Sequence, residues 1–203
     1  MGAQVNRIAD HEQYYDENFG KLLLSLSAFN GVEFEDCEFH DCHFSESTFK
    51  NCKFINCQFY RCNLSLLKIP QTRFFGVSFV ECKLVGVDWT QANWPAFNID
   101  HELKFRKCIL NDGSFFGLTL NELVLDECKL HDVDFREGDF KHSSMTYCDF
   151  THSLFMRTDL RRVDFTESTQ YNIHVLENFV EGARFSRFEA LHLLESLGVE
   201  LVD

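Results

Sequence analysis

The run CEFHDCHFSESTFKNCKFINCQFYRCNL, from Cys37 to Leu64, carries an aromatic residue or leucine at every fifth position: Phe39, Phe44, Phe49, Phe54, Phe59 and Leu64. Two residues before each stands a small side chain, in order Cys37, Cys42, Ser47, Cys52, Cys57 and Cys62. A period of five matches neither an amphipathic helix, near 3.6, nor a plain strand, at 2. It is a repeat, and it runs far beyond this stretch. Backwards it reaches Phe34, Phe29, Leu24 and Phe19; forwards it passes through Ile69, Phe74, Phe79, Leu84, Trp89, Trp94 and Ile99. It then slips by one residue and resumes from Phe105 through Leu110, Phe115, Leu120, Leu125, Leu130, Phe135, Phe140, Met145, Phe150, Phe155 and Leu160 to Phe165.

Side chains alternate along extended backbone, so each central residue shares a side with the small residue two before it. The other three of each five are mostly polar and face outward or turn a corner. Each unit is thus a very short strand with one large and one small inward side chain, followed by a bend. Such a unit has no core alone. It must stack coil on coil, as a solenoid whose ladder hydrogen bonds run between coils.

On these residues the chain resembles the pentapeptide repeat proteins, over nearly its whole length. The resemblance implies an all-β fold, a right-handed quadrilateral β-helix with twenty residues per coil. Three segments resemble one branch more closely, the gyrase-protecting resistance and immunity proteins: NLSLLKIPQTRF (Asn63 to Phe74), GVDWTQANWP (Gly86 to Pro95) and the tail GARFSRFEALHLLESLGVEL (Gly182 to Leu201). That branch includes the quinolone-resistance Qnr type, the albicidin-resistance type, which the three segments look most like, and the microcin B17 immunity protein. Neither half carries the protruding loops of the Qnr type, so mechanisms that rest on such loops do not transfer.

Residues 1–18 lack the register and read as a mobile lead-in, residues 19–185 as the β-helix, and 186–203 as a C-terminal helix and strand. Trp89 and Trp94 are oversized for their slots, Pro95 follows, and the register shifts, which predicts a local break near 95–104. After Phe165 the column degenerates to Gln170, Val175, Val180 and Phe185. Ser186 followed by Glu189 predicts a capping box at a helix start. Phe188, Leu191, Leu194 and Leu197 recur at helical spacing and Gly198 sits at the C-terminal glycine position. Val199, Leu201 and Val202 read as a closing strand. This tail either caps the last coil or, as the resemblance implies, joins two chains end to end, with Phe188, Leu191, Leu194, Leu197, Val199 and Leu201 at the interface.

The 203 residues carry a formal charge of −13. That disfavours direct nucleic-acid binding, because phosphate contacts need Lys and Arg. With no apolar run long enough for a signal peptide or a membrane span, a cytoplasmic protein with no membrane contact is expected. All nine cysteines, the five above with Cys82, Cys108, Cys128 and Cys148, stand two before a centre. They read as reduced, space-filling core residues rather than disulfides or metal ligands. The metal-like cluster Cys37, His40, Cys42 and His43 splits between the inward and outward sides of a strand, so its donors do not converge. No catalytic motif is present, and a solenoid packed with Phe offers no deep pocket. No enzyme and no cofactor is expected.

What remains is surface pattern. Folding twenty residues per coil places Glu38, Asp41, Glu81, Asp100, Glu122, Asp139 and Asp159 on one face, with Arg61, Lys141, Arg161 and Arg162 among them. The resemblance implies that this acidic line mimics a DNA duplex. The chain would then be a homodimeric rod that occupies the DNA-binding saddle of DNA gyrase, with topoisomerase IV as a second target, and protects it from a gyrase-directed antibiotic or toxin. The alternative is a general protein-interaction solenoid with an unrelated partner, in which the acids are a solvated face.

Overall fold

The computed structural model describes residues 7–94, 102–200 and 202. The central residues form three-residue strands such as Glu33–Glu35, Glu38–His40, Thr48–Lys50 and Lys53–Ile55. Residues 20 apart pair in parallel: Phe19 with Phe39, Phe29 with Phe49, Phe34 with Phe54. Four pentads complete one coil, so the chain is a four-sided parallel β-helix. The first face is the longest, a nine-stranded sheet from Asn18–Gly20 to Arg184–Phe185, which corresponds to eight turns. The second face follows the column Phe44, Leu64 and Leu84, the third Phe29, Phe49 and Ile69, and the fourth Phe34, Phe54 and Phe74. The ladder begins before Phe19, because Gln13–Tyr15 pairs with Glu33–Glu35 and the Tyr14 ring stacks on Phe34.

The chain turns each corner at the residue two after a centre. At one such corner Ser47 N–H donates to the Phe44 carbonyl at 3.1 Å while Glu46 takes a φ of 59°. This is the third residue of a type II turn, where the left-handed conformation favours Gly and Asn. Asn51 and Asn56 fit that preference; Arg61 and Leu66, at φ 49° and 56°, do not. Coil-to-coil hydrogen bonds hold them there, with Arg61 N–H on the Val80 carbonyl at 2.9 Å and Leu66 N–H on the Val85 carbonyl at 2.7 Å. Gly86 needs its missing side chain, since a Cβ there would lie 2.6 Å from Leu66 Cδ2.

The interior is a set of aromatic stacks. Along the first face Phe19, Phe39, Phe59, Phe79 and Phe105 lie face to face at 4.7, 4.5, 4.9 and 5.0 Å. Rings on adjacent faces meet edge to face, as Phe34 and Phe39 do at 5.2 Å and 74°. Both arrangements are favoured by the ring quadrupole.

The small inward column has a role that sequence reading assigned only to volume. Its polar atoms serve the backbone at the corners: Cys62 Sγ accepts from Cys42 N–H at 3.4 Å and donates to the Phe39 carbonyl at 3.3 Å. Thr72 does the same between Cys52 N–H and the Phe49 carbonyl, at 3.2 and 2.7 Å, and Ser168 serves Cys148 N–H at 2.9 Å. Cys, Ser and Thr recur here because each is small and both donates and accepts. All nine cysteines are buried and free.

The halves join differently from the expected slip of one residue. Phe79 pairs with Phe105 across 26 residues, and Lys83 with Ile109 and Asp88 with Ser114 by the same spacing. Six residues are therefore added in this coil, between Trp94 and Leu103. Ile99 lies outside the described residues, and the rung next to Phe79 belongs to Phe105. The face assignment of everything downstream changes with it.

The last coil is also irregular: Phe155 pairs with Ile173, 18 residues on, whereas Asp159 pairs with Phe179 at 20. A widened turn over 174–178 restores the spacing. Beyond Phe185 a 3₁₀ turn, Glu189–Leu191, runs into a short helix, His192–Glu195. The expected capping box does not form. Ser186 Oγ instead donates to Glu167 and accepts from Glu167 N–H, and no side chain caps Phe188. Gly198 ends the helix at φ 74°, as its position predicted. Among the described residues no strand follows Arg184–Phe185, so a closing strand at Val199 is not formed; Leu201 lies outside them.

Candidate partner-binding surface

The outward columns carry the charge, and the 26-residue coil divides the predicted acidic line. Glu38, Asp41 and Glu81 flank first-face rungs centred on Phe39 and Phe79. Asp139 and Asp159 pair in a different ladder, Thr119 to Asp139 to Asp159 to Phe179, on the fourth face. Glu122 sits at the corner between the fourth face and the first, with φ 59°. Asp100 lies outside the described residues. The single acidic face is therefore corrected to the first and fourth faces with the corners on either side of the first: Asp41 and Glu81 toward the second face, Glu122 toward the fourth.

Much of this charge is also answered locally. Arg61 Nε contacts Asp41 at 2.8 Å and its guanidinium hydrogen bonds hold that carboxyl below the usual range. Lys141 bridges Asp139 at 2.9 Å and Asp159 at 3.8 Å, and Arg161 lies 2.6 Å from Asp159. Glu38 faces His40 at 2.8 Å. The corner between the first and second faces reads Lys21, Asp41, Arg61, Glu81, Lys107 and Glu127 on successive coils, and this alternation of sign pairs Arg61 with Asp41 and Lys107 with Glu127 across adjacent coils. Sequence reading missed it, although the signal was present: charges of opposite sign 20 residues apart.

The edge between the fourth and first faces is less compensated. Asp16, Glu35, Asp36 and Glu122 make none of the ion pairs among the described residues. Glu35 and then Asp36 push the exposed Tyr15 phenol beside them above its ordinary range. Cys37 and Cys42 face the core while His40 lies outside, stacked on Tyr60 at 4.8 Å. Among the described residues no three His, Cys, Asp or Glu side chains converge where a metal ion would sit. No helix among them is long and apolar enough to cross a membrane.

The C-terminal end is apolar. Phe188 is 81 % exposed, and Leu191, Leu194, Leu197 and Val199 are each more than a third exposed. Leu193 turns the other way and packs against the last coil. Leu176 in the widened turn and Phe179, which pairs with Asp159 just after it, are also exposed and were not singled out by the sequence. A helical stripe was legible, but the excursion at 174–178 was not, because no turn signal marks it.

The family profile described as a pentapeptide repeat region matches residues 32–101 and 98–165. The fold is similar to that of QnrB1, a plasmid-mediated fluoroquinolone resistance protein. A trypsin-treated variant of QnrB1 superposes with a TM-score of 0.64 at 20 % identity, over 97 % of this chain and 93 % of the other. Full-length QnrB1 gives 0.58 at 19 % identity, over 97 % and 95 %. No curated protein sequence matches the chain.

Proposed function

The chain belongs to the pentapeptide repeat family, and from that premise we propose that it is a cytoplasmic DNA mimic that binds DNA gyrase, with topoisomerase IV as a second target, and shields it from a gyrase-directed antibiotic or toxin. The observation that carries this reading is a stiff β-rod of net charge −13 whose outward columns present carboxylates coil after coil. Glu38, Asp41 and Glu81 on the first face, Asp139 and Asp159 on the fourth, and Glu122 between them stand in for phosphates against Lys and Arg of the enzyme. The poorly compensated edge, with Asp36 and Glu122, is the part that meets the basic surface first, because its field is least cancelled.

In this reading two chains join end to end through Phe188, Leu191, Leu194, Leu197 and Val199. An apolar stripe left open at the end of a solenoid favours such a joint. Two stacks of eight coils at about 4.8 Å per layer give a rod about 80 Å long, enough to lie across a DNA-binding saddle. The local ion pairs of Asp41, Asp139 and Asp159 favour a second reading, an interaction solenoid for an unrelated partner whose charges serve the rod itself. A gyrase supercoiling assay, run with and without a gyrase poison, separates the two. Restoration of supercoiling in the presence of poison supports the first; no effect on gyrase, with or without poison, sinks it.

A further inference from the structure

Several cations on the rod meet a carboxylate one coil away: Arg61 on Asp41, Arg106 on Asp126, Lys107 on Glu127 and Arg184 on Asp164. The corner between the third and fourth faces departs from this pattern. Lys53 and Arg73 are direct partners in the parallel ladder of the fourth face. Two like charges therefore stand one rung apart, about 4.8 Å along the rod, an arrangement that works against the sheet. Around the corner, on the third face, Lys50 pairs with Asn30 and Lys68 with Thr48, which puts two more cations on the same two coils. Lys50, Lys68 and Arg73 are exposed and make none of the ion pairs among the described residues.

The carboxylates in the same columns are already engaged. Glu33, one coil before Lys53, is bound by its ammonium. Asp88, one coil after Lys68, accepts from Thr90 N–H at 3.0 Å and from Gln91 Nε2 at 3.3 Å. The corner itself, between the two pairs of cations, carries the exposed amides of Asn51 and Gln71.

From this geometry we propose that the corner docks a short acidic segment of a partner protein, an extended stretch with two or three carboxylates. Same-side residues of an extended chain repeat at about 6.6 Å, so such a stretch reaches cations on both sides of the corner. Its main chain meets Asn51 and Gln71. Asn51 spends one N–H on Asn30 at 3.1 Å and keeps its oxygen as an acceptor. A primary amide matches the N–H and C=O of a peptide, whereas a phosphodiester offers acceptors only and would leave the amide oxygens unanswered. The cationic area is also only two coils high. A nucleic-acid duplex laid along it would run onto Glu33 at one end and Asp88 at the other, on a chain whose net charge of −13 repels a long polyanion. This corner is separate from the acidic edge between the fourth and first faces, and the inference does not rest on which enzyme that edge meets.

The test is fluorescence anisotropy of a labelled octaglutamate peptide with the full-length protein at low and physiological salt. A thymidylate oligonucleotide of the same charge forms the second arm. Octaglutamate is expected to bind more tightly than the oligonucleotide, and its affinity to fall as salt rises. Lys50→Glu, Lys68→Glu and Arg73→Glu together should lower that affinity at least about tenfold. Lys21→Glu, Lys83→Glu and Lys129→Glu make the same change in net charge at exposed positions on the second face and its corner with the first, and should lower it far less. Carbodiimide cross-linking of the peptide to the wild-type protein, mapped by mass spectrometry, should mark Lys50, Lys53 and Lys68 and does not depend on any variant folding. No binding at low salt, tighter binding of the oligonucleotide, equal losses in the two triple variants, or cross-links concentrated elsewhere would each overturn the site.

Discussion

The ring of Phe54 lies between those of Phe34 and Phe74, 4.9 Å from one and 5.4 Å from the other, within 10° of parallel to both. Its edge also meets Phe49 at 5.3 Å. A ring held on both faces by coils that are themselves pinned by ladder hydrogen bonds leaves a gap that cannot close. Phe54→Ala is therefore expected to cost about 3–5 kcal/mol. Denaturant melts of the two proteins measure it, and equal midpoints would contradict an interior column.

Trp89 gives the opposite expectation. It is buried and stacks on Phe115 at 5.7 Å, yet among the described residues its indole N–H has no hydrogen-bond partner. An unsatisfied buried donor costs about 1–3 kcal/mol. Trp89→Phe removes that cost while giving up ring volume, and it keeps a ring on the Phe115, Phe135 and Phe155 stack. Stability within about 1 kcal/mol of wild type is expected by thermal melt; a loss comparable to Phe54→Ala would show that size alone governs the slot.

The cysteine column predicts a ranking. Cys62→Ser keeps an acceptor for Cys42 N–H and a donor to the Phe39 carbonyl, whereas Cys62→Ala leaves both groups without their partner. Alanine should cost about 1–3 kcal/mol and serine less. If alanine were tolerated as well as serine, the thiol would be filling space only. Because Cys52 and Cys57 are 1 % and 0 % exposed, a bulky disulfide reagent should label them only after unfolding.

The period of five made the ladder, the aromatic interior and the inward cysteines legible, because each pentad repeats the same demand on the same column. What it did not carry was the length of one exceptional coil. A six-residue addition and a one-residue slip leave the same column phase, since pentads are interchangeable along the chain. Only the pairing of Phe79 with Phe105 tells them apart, and that pairing moves Asp139 and Asp159 from one face to the next. The Ser186–Glu189 box failed for a different reason: Glu167, one coil earlier, offered Ser186 two hydrogen bonds that no local pattern reveals.

Acid should loosen the second half of the rod. Hydrogen bonds from Arg161, reinforced by its charge and that of Lys141, hold the Asp159 carboxyl below its ordinary range, and burial opposes them. A depressed folded value means stability that is present above the unfolded value, near 3.9, and lost as pH falls through the folded one. Melting temperature should therefore drop on the acid side of about pH 4, and Asp159→Asn should flatten that part of the profile. An unchanged profile in the variant would show that the pair contributes nothing measurable.

Removal of residues 186–203 tests the proposed joint between chains. Phe188, Leu191, Leu194 and Leu197 would be lost together, and the truncated chain is expected to scatter light as a monomer or an aggregate. An unaltered dimer would place the interface elsewhere.

The last expectation concerns how charge is used. Asp41, Asp139 and Asp159 are tied to Arg61, Lys141 and Arg161, so reversing them would disturb the rod as well as its surface. Glu81 and Glu122 make none of the ion pairs among the described residues and stand at corners, outside the core. Glu81→Lys with Glu122→Lys should leave the melting temperature nearly unchanged and weaken gyrase binding and protection together. If carboxylates replace phosphates, wild-type affinity should also fall steeply between low and physiological salt, and the variant should show a shallower dependence. Affinity would be measured for both proteins at two salt concentrations, beside poison-resistant supercoiling. Equal affinities and no salt dependence would rule out electrostatic mimicry through these residues, and the β-helix would stand as a rod whose acids serve solubility and coil register.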